Sequence, residues 1–365
     1  MVYEHFFEKD KWLNLTFDTK LTRGFLMNVH YNFLSKTKVA FAIFGALVLI
    51  GIASLFIRGL SKGIDFTGGR NFVVELVDKD TTPEAVEAAF KEAAKKDNPD
   101  ANVDGTHAIR VITAENTQAV RLQTNYLIEE ADEEADSKIE QLLYNALHDK
   151  GLVTASYDMF KNRDVHDGGS ILTSQKVGNT VAKETTRGAV KAVILALVAI
   201  FLYILLRFRN VAFSVGSIVA LTVDTFLIIA VYSLCHGWAP FSLEIDQTFI
   251  GAILTAIGYS INDKVVVFDR IRENLGLWPK RDTRRLFNDS LSQTLARTIM
   301  TSFTTLLVLL CIFILGGDSI RSFAFAMILG VIFGTLSSMF IAAPVAYMLF
   351  NKKIVNEADD DIEKK

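Results

Sequence analysis

The chain has 365 residues, 50% of them apolar and 22% charged, with a formal net charge of −3 and a mean hydropathy of +0.30. That balance excludes an ordinary water-soluble globule, and the small acidic excess excludes a polycation built to hold nucleic acid. The charges are unevenly placed: residues 63–187 hold 23 Asp and Glu against 14 Lys and Arg, which leaves the remainder net basic.

Residues 1–36 are polar, mixed in charge and carry aromatics from Phe6 to Phe33. They lack a short apolar core with a small-residue cleavage site, so they read as a cytoplasmic segment, solvated or lying along the membrane surface, rather than a secretory signal. Residues 37–57 form the first span, retained as an anchor. Gly63-Ile64-Asp65-Phe66-Thr67-Gly68-Gly69 follows it. This is no phosphate loop, because no Gly-Lys-Ser/Thr follows; the glycines predict a sharp chain reversal into the next domain.

Residues 58–187 read as a mixed α and β domain. Strands are expected at Asn71–Val77, His107–Thr113 and Val153–Tyr157. A helix opens at Thr82-Pro83-Glu84, and a second covers Ser137–Lys150 with Ile139, Leu142, Leu143 and Leu147 on one face. The acidic run Glu129–Asp136 reads as a solvated helix face or loop, and Ser174–Gly188 as a helical lead into the second span. Two strand–helix pairs suit a two-layer α+β domain of ferredoxin-like type.

Further spans follow at 188–207, 211–234, 247–269, 299–316 and 321–350, with a basic loop at 270–298 and a tail at 351–365. The fold class is therefore a multi-pass α-helical membrane protein with six transmembrane helices and an exported domain between helices 1 and 2. Lys36, Lys38, Arg207, Arg209, the basic residues of 270–298, Lys352 and Lys353 mark one side of the membrane, so both termini are expected in the cytoplasm and residues 58–187 outside. Cys235 and Cys311 read as packing residues. No catalytic or metal-ligating cluster is apparent.

Asp224 is the only ionisable group in the run Val211–Leu234, roughly 20 Å into an apolar layer ~30 Å thick. A carboxylate there costs at least ~2.5 kcal/mol, so it is neutralised, paired or hydrated, and such a residue points to ion movement. On the fourth span Ser260 and Asn262 can reach Asp224 or water, while Asp263 and Lys264 pair locally. Arg270 lies roughly 20 Å along the helices from Asp224, which implies no direct ion pair. It also reads as a topology anchor.

The stretch Gly258-Tyr259-Ser260-Ile261-Asn262-Asp263-Lys264-Val265-Val266-Val267-Phe268-Asp269-Arg270-Ile271-Arg272-Glu273-Asn274 resembles the signature of the SecF branch of the SecD/SecF family. The Gly63–Gly69 motif, the exported domain after span one, Gly316-Gly317 and the Gly330-x-x-x-Gly334 pair are similar to that family too. The resemblance covers about residues 35–350 and implies an RND-type half in a bacterial inner membrane. It implies a SecD partner, the SecYEG channel and an unfolded preprotein as associates, and membrane lipid but no nucleic acid. No cofactor is expected; the coupling ion is a proton, or sodium. The resemblance places the family's membrane-embedded Asp on Asp224 and its functional Arg on Arg270. The motif residues Gly63, Asp65, Gly68, Gly69, Gly258 and Asp269 are expected to be structural. Two positions depart from many relatives: Val223 stands where His is common, and Lys264 where Thr or Ser is common. A small-molecule exporter half, or a purely structural partner of the channel, are the competing readings.

Overall fold

The computed structural model describes residues 31–350, apart from 79, 102, 113–117, 130–132, 163–167 and 240. The readings of residues 1–30, of the tail 351–365 and of the middle of the acidic run lie outside the described residues. In chain order the elements are α1 (Thr37–Ile57), α2 (Ile64–Thr67), β1 (Gly69–Glu75), α3 (Pro83–Asp97), β2 (His107–Ile112), β3 (Gln118–Thr124), α4 (Glu133–Asp149), α5 (Tyr157–Lys161) and β4 (Ser170–Val177). Then come α6 (Asn179–Phe208), α7 (Val211–Cys235), α8 (Gln247–Leu277), α9 (Thr283–Leu315) and α10 (Asp318–Ser337), which runs into a π-helical turn at Ser338–Ala342.

Among the described residues, six helices are long and apolar enough to cross a membrane: α1, α6, α7, α8, α9 and α10 with its continuation to Phe350. Three of them start at a side-chain cap. Asn210 accepts a hydrogen bond from the Ala212 amide, Asp246 from Phe249 and Asp282 from Arg285. The helices are not equivalent. In their most apolar stretches α7, α8 and α10 are 44%, 44% and 56% buried, against 11%, 6% and 17% for α1, α6 and α9. The first three therefore form the centre, and the others turn most of their apolar surface to lipid.

Small residues let that centre close. A Cβ on Gly334 of α10 would lie 2.6 Å from Ser260 Oγ of α8, and one on Gly330 would overlap Ala256 Cβ. A Cβ on Gly216 of α7 would lie 2.6 Å from the Ala342 carbonyl oxygen. In lipid, where burial of apolar surface drives little, such close backbone approach supplies the packing energy.

The domain between α1 and α6 has a four-stranded sheet of order β2-β3-β1-β4, with every neighbouring pair antiparallel. With α3 and α4 it makes a β-α-β-β-α-β unit of ferredoxin-like type, plus the short α5. Phe72 of β1 faces Leu122 of β3 in register, and Phe72, Val74, Phe90, Leu122, Ile139, Leu143 and Leu147 share one buried core.

Several local expectations are corrected. Residues 153–157 are not a strand, and β3 and β4 take the places the apolar pattern left blank; Ser174–Val177 is the end of β4, so the helix into the second span starts at Asn179. Residues 270–298 are mostly helical: α8 continues to Leu277 and α9 begins at Thr283. The basic side chains there sit on helix surfaces, where Arg270–Glu273 and Arg272–Asp269 pair one turn apart. Asp136, from the acidic run, is not simply solvated: it binds buried Arg70 at 2.5 Å and Lys176 at 2.9 Å.

The domain is tied to the far end of α7 and the start of α8. The Gly63 amide donates to Ile245 O at 2.9 Å and Ile245 N to Ser61 O at 2.8 Å. The Gln247 amide donates to Asp65 Oδ2 at 3.0 Å, and Arg121 of β3 lies 3.6 Å from Glu244.

Candidate functional site: a buried charge pair among three helices

Along α7, Phe213, Gly216, Ser217, Ala220, Asp224, Leu227 and Ile228 recur at three- and four-residue spacing and are all buried. Asp224 therefore lies on the stripe that faces the helix bundle, not lipid. On α8, Ala256, Ser260, Lys264, Val267 and Phe268 form the facing stripe. Ser260 and Lys264 stand one turn apart on it. α7 and α8 run in opposite directions, and side chains tilt toward the N-terminus of their own helix. Asp224 and Lys264 consequently lean toward each other and close an offset of several ångströms along the helix axes.

Lys264 Nζ lies 3.0 Å from Asp224 Oδ2, 2.5 Å from Ser260 Oγ and 3.1 Å from Ser337 Oγ. Asp224 Oδ2 also accepts from Ser260 Oγ at 2.9 Å and from Ser337 Oγ at 2.8 Å. One carboxylate oxygen thus joins α7, α8 and α10. Asp224 is 3% exposed and Lys264 0%. The opposite charges neutralise one another, which is how a carboxylate persists at this depth. The second carboxylate oxygen, Oδ1, is buried and has no hydrogen-bond partner among the described residues. Ser337 is the last residue before the π-helical turn, an irregularity that is frequent at functional sites.

The structure corrects part of the expected site. Lys264 reaches across to Asp224 and does not pair with Asp263. Asp263 instead accepts from Thr335 of α10 at 3.2 Å, and Thr335 shares a 2.6 Å hydrogen bond with Ser302 of α9. Asn262 is exposed, and its side chain has no partner among the described residues; it sits about 200° around the helix from Ser260 and cannot reach Asp224. Gly258 faces open space. Arg270 does not touch Asp224: it donates to Gln293 at 2.5 Å and to Glu273 at 2.7 Å, linking α8 to α9. Asp269 bonds Arg272 and Arg207, the latter at the end of α6.

The glycine motif forms a joint rather than a bare reversal. Ile64–Thr67 is one helical turn; Gly68 and Gly69 then have φ of +74° and +141°. A Cβ would meet Asn179 Oδ1 at 2.6 Å and Thr124 O at 2.7 Å, respectively. Glycine is needed there for both angle and space. Gly63 and Asp65 supply the contacts to residues 245–247 described above.

Ser337, Thr335 and Ser302 went unnoticed in the sequence, where a serine or threonine in an apolar helix is unremarkable. The usable signal was charge: Lys264 is the one base between Gln247 and Asp269, on the helix that faces the lone acid of α7. Among the described residues, no three His, Cys, Asp or Glu side chains are close enough to share a metal.

Six helices fit to cross a membrane, a central acid–base pair and a ferredoxin-like domain after the first span define a multi-pass helical membrane protein with one large inserted domain. Family models support this at two places: the SecD/SecF C-terminal region of protein export membrane proteins matches residues 158–352, and the SecD/SecF GG motif matches residues 53–78. The protein translocase subunit SecF of Rhodothermus marinus is 38% identical over 323 residues, covering 88% of this chain and 94% of that protein. SecF of Haemophilus influenzae is 31% identical, covering 86% of this chain and 85% of its own length. The crystal structure of SecDF from Thermus thermophilus, a translocon-associated membrane protein, superposes with a TM-score of 0.71 at 29% identity; the match covers 90% of this chain and 40% of SecDF. The chain belongs to the SecD/SecF family, on its SecF side.

Proposed function

We propose that the chain is the SecF-type accessory subunit of a Sec protein translocase, and that it converts an ion-motive force into movement that helps a preprotein emerge from the channel. The observation that carries this reading is the buried Asp224–Lys264 pair, in which one carboxylate oxygen holds three helices together. Protonating Asp224 removes the charge that attracts Lys264, Ser260 and Ser337 and weakens the contacts of α7 with α8 and α10. Ion entry and release would then alternate two packings of the bundle. One charge crossing 100 mV releases ~2.3 kcal/mol, sufficient to bias such an equilibrium. The ties from Gly63 and Asp65 to residues 245–247 put the inserted domain in mechanical series with α8.

In this reading the membrane is the bacterial inner membrane, the termini are cytoplasmic and the domain of residues 58–187 faces outward, in line with the Lys and Arg distribution. A SecD partner is supported by the SecDF relative, in which the equivalent of this chain makes up 40% of the length. SecYEG and an unfolded preprotein follow as further partners, and no hydrolytic chemistry is required.

The test is Asp224→Asn, produced with its partner, with export of a secreted reporter measured under an imposed ion gradient. Loss of the gradient-dependent component is expected. Full gradient-dependent export by the variant would leave only a scaffolding role.

A further inference from the structure

We propose that Lys264 sets the ion selectivity of this site: its ammonium occupies the place a sodium ion would take, and coupling is thereby restricted to protons. The inference rests on the ion-coupling reading of Asp224 and adds the identity of the ion. One carboxylate oxygen and two hydroxyl oxygens, drawn from three helices, converge on a single point. That is a hard-donor set suited to alkali and alkaline-earth cations. The point is filled by Lys264 Nζ, whose three N–H groups meet the three oxygens at 2.5–3.1 Å. The side chain is fully buried, so its hydration shell has been replaced by these ligands.

A sodium ion could bind here only by evicting the ammonium, which would leave a buried positive charge without its oxygens. A proton needs no such shell. It requires one lone pair not already engaged in a hydrogen bond, and Asp224 Oδ1 is a buried oxygen that no described group satisfies. The proton can therefore add to Asp224 while Lys264 is still in place, whereas sodium cannot.

The experiment has two arms. In the first, the chain is purified in detergent with its SecD-type partner, and radiolabelled sodium binding and thermal unfolding are measured in sodium chloride against choline chloride at equal ionic strength. In the second, reporter export is measured in vesicles under a proton gradient or a sodium gradient. The wild type is expected to bind no sodium, to melt identically in both salts and to respond to the proton gradient alone. Lys264→Ser, which vacates the place of the ammonium and leaves the Asp224 carboxylate and the Ser260 and Ser337 hydroxyls around it, is expected to acquire the sodium binding that the wild type lacks, together with sodium-dependent melting. Sodium binding or sodium-driven export by the wild type overturns the proposal. So does a folded Lys264→Ser protein that remains indifferent to sodium. If Lys264→Ser does not fold, the wild-type arm decides alone. The binding arm does not depend on export: a silent Asp224→Asn phenotype rejects coupling, whereas sodium binding by the wild type rejects selectivity.

Discussion

Removing the base from the buried pair while keeping its bulk, as in Lys264→Met, strands the Asp224 carboxylate. At 3.0 Å the Coulomb attraction between the two groups is about 5 kcal/mol for an effective dielectric near 20. Most of that offsets desolvation of the two ions, so the pair adds little net stability over an apolar pair of equal size. Breaking it from one side is different, because the remaining charge keeps its desolvation cost and loses its partner; the expected loss is about 3–5 kcal/mol. The Asp224→Asn/Lys264→Met double variant has no stranded charge and retains the serine hydroxyls as partners for the amide. It should recover at least about 2 kcal/mol of that loss as a coupling term. Reversible unfolding of the purified protein in mixed micelles, followed by intrinsic fluorescence for the wild type, both single variants and the double variant, measures the cycle. A Lys264→Met protein within about 0.5 kcal/mol of wild type, or additive effects in the double variant, would refute the claim that the two side chains form one charge-compensated unit.

Gly334→Val should destabilise by about 1–3 kcal/mol, because its Cβ would lie 2.6 Å from Ser260 Oγ in a packed interface; Gly258→Ala, on an open helix face, should be neutral or slightly stabilising. Parallel thermal melts separate the two, and equal effects would contradict the packing. The inserted domain should lose stability in acid. Burial alone would raise the Asp136 carboxyl, but hydrogen bonds from Lys176 and Arg70 hold it below its ordinary value; Lys138 and Tyr126 do the same for Asp97. Both groups titrate lower in the folded domain than in the unfolded chain, so their contribution is complete above the unfolded value near pH ~4 and lost as pH falls through it toward the folded values. Hydrogen-exchange protection in the domain core of the full chain, referred to the intrinsic rate at each pH, should stay constant from neutral pH to about 5 and fall below about 4, less steeply in Asp136→Asn. A flat protection profile would contradict this.

The spans and the depth of Asp224 were legible because apolar length and lone charges are local properties. Gly330-x-x-x-Gly334 was noted only as similar to the family; the structure shows that its spacing aligns two missing side chains on one side of α10, against Ala256 and Ser260. The pairing of Lys264 was misread in favour of its neighbour Asp263, although adjacent residues on a helix point about 100° apart and do not face each other. The same geometry turns Asn262 outward. The partner of Lys264 is 40 residues away, and only the antiparallel arrangement of α7 and α8 brings it near. In the inserted domain, β3 (Gln118–Thr124) and β4 (Ser170–Val177) carry many Gln, Ser and Thr residues. Their weak alternation hides strands that are fixed by pairing with β1, a tertiary influence outweighing local preference. Residues 270–298 looked like a loop because charge was weighed and helical spacing was not.

Helix α8 has 31 residues and therefore extends about 46 Å without interruption. Its first turn is clasped by Asp65, and Lys264 sits a little past its midpoint, roughly 26 Å from that clasp. An uninterrupted helix of this kind works as a lever: a one-degree tilt about Lys264 would carry its upper tip about 0.5 Å, and a ten-degree tilt nearly the width of a helical turn. In the coupling proposed above, the length of this one rod would supply the gearing between an atomic-scale change in charge and a displacement of the inserted domain.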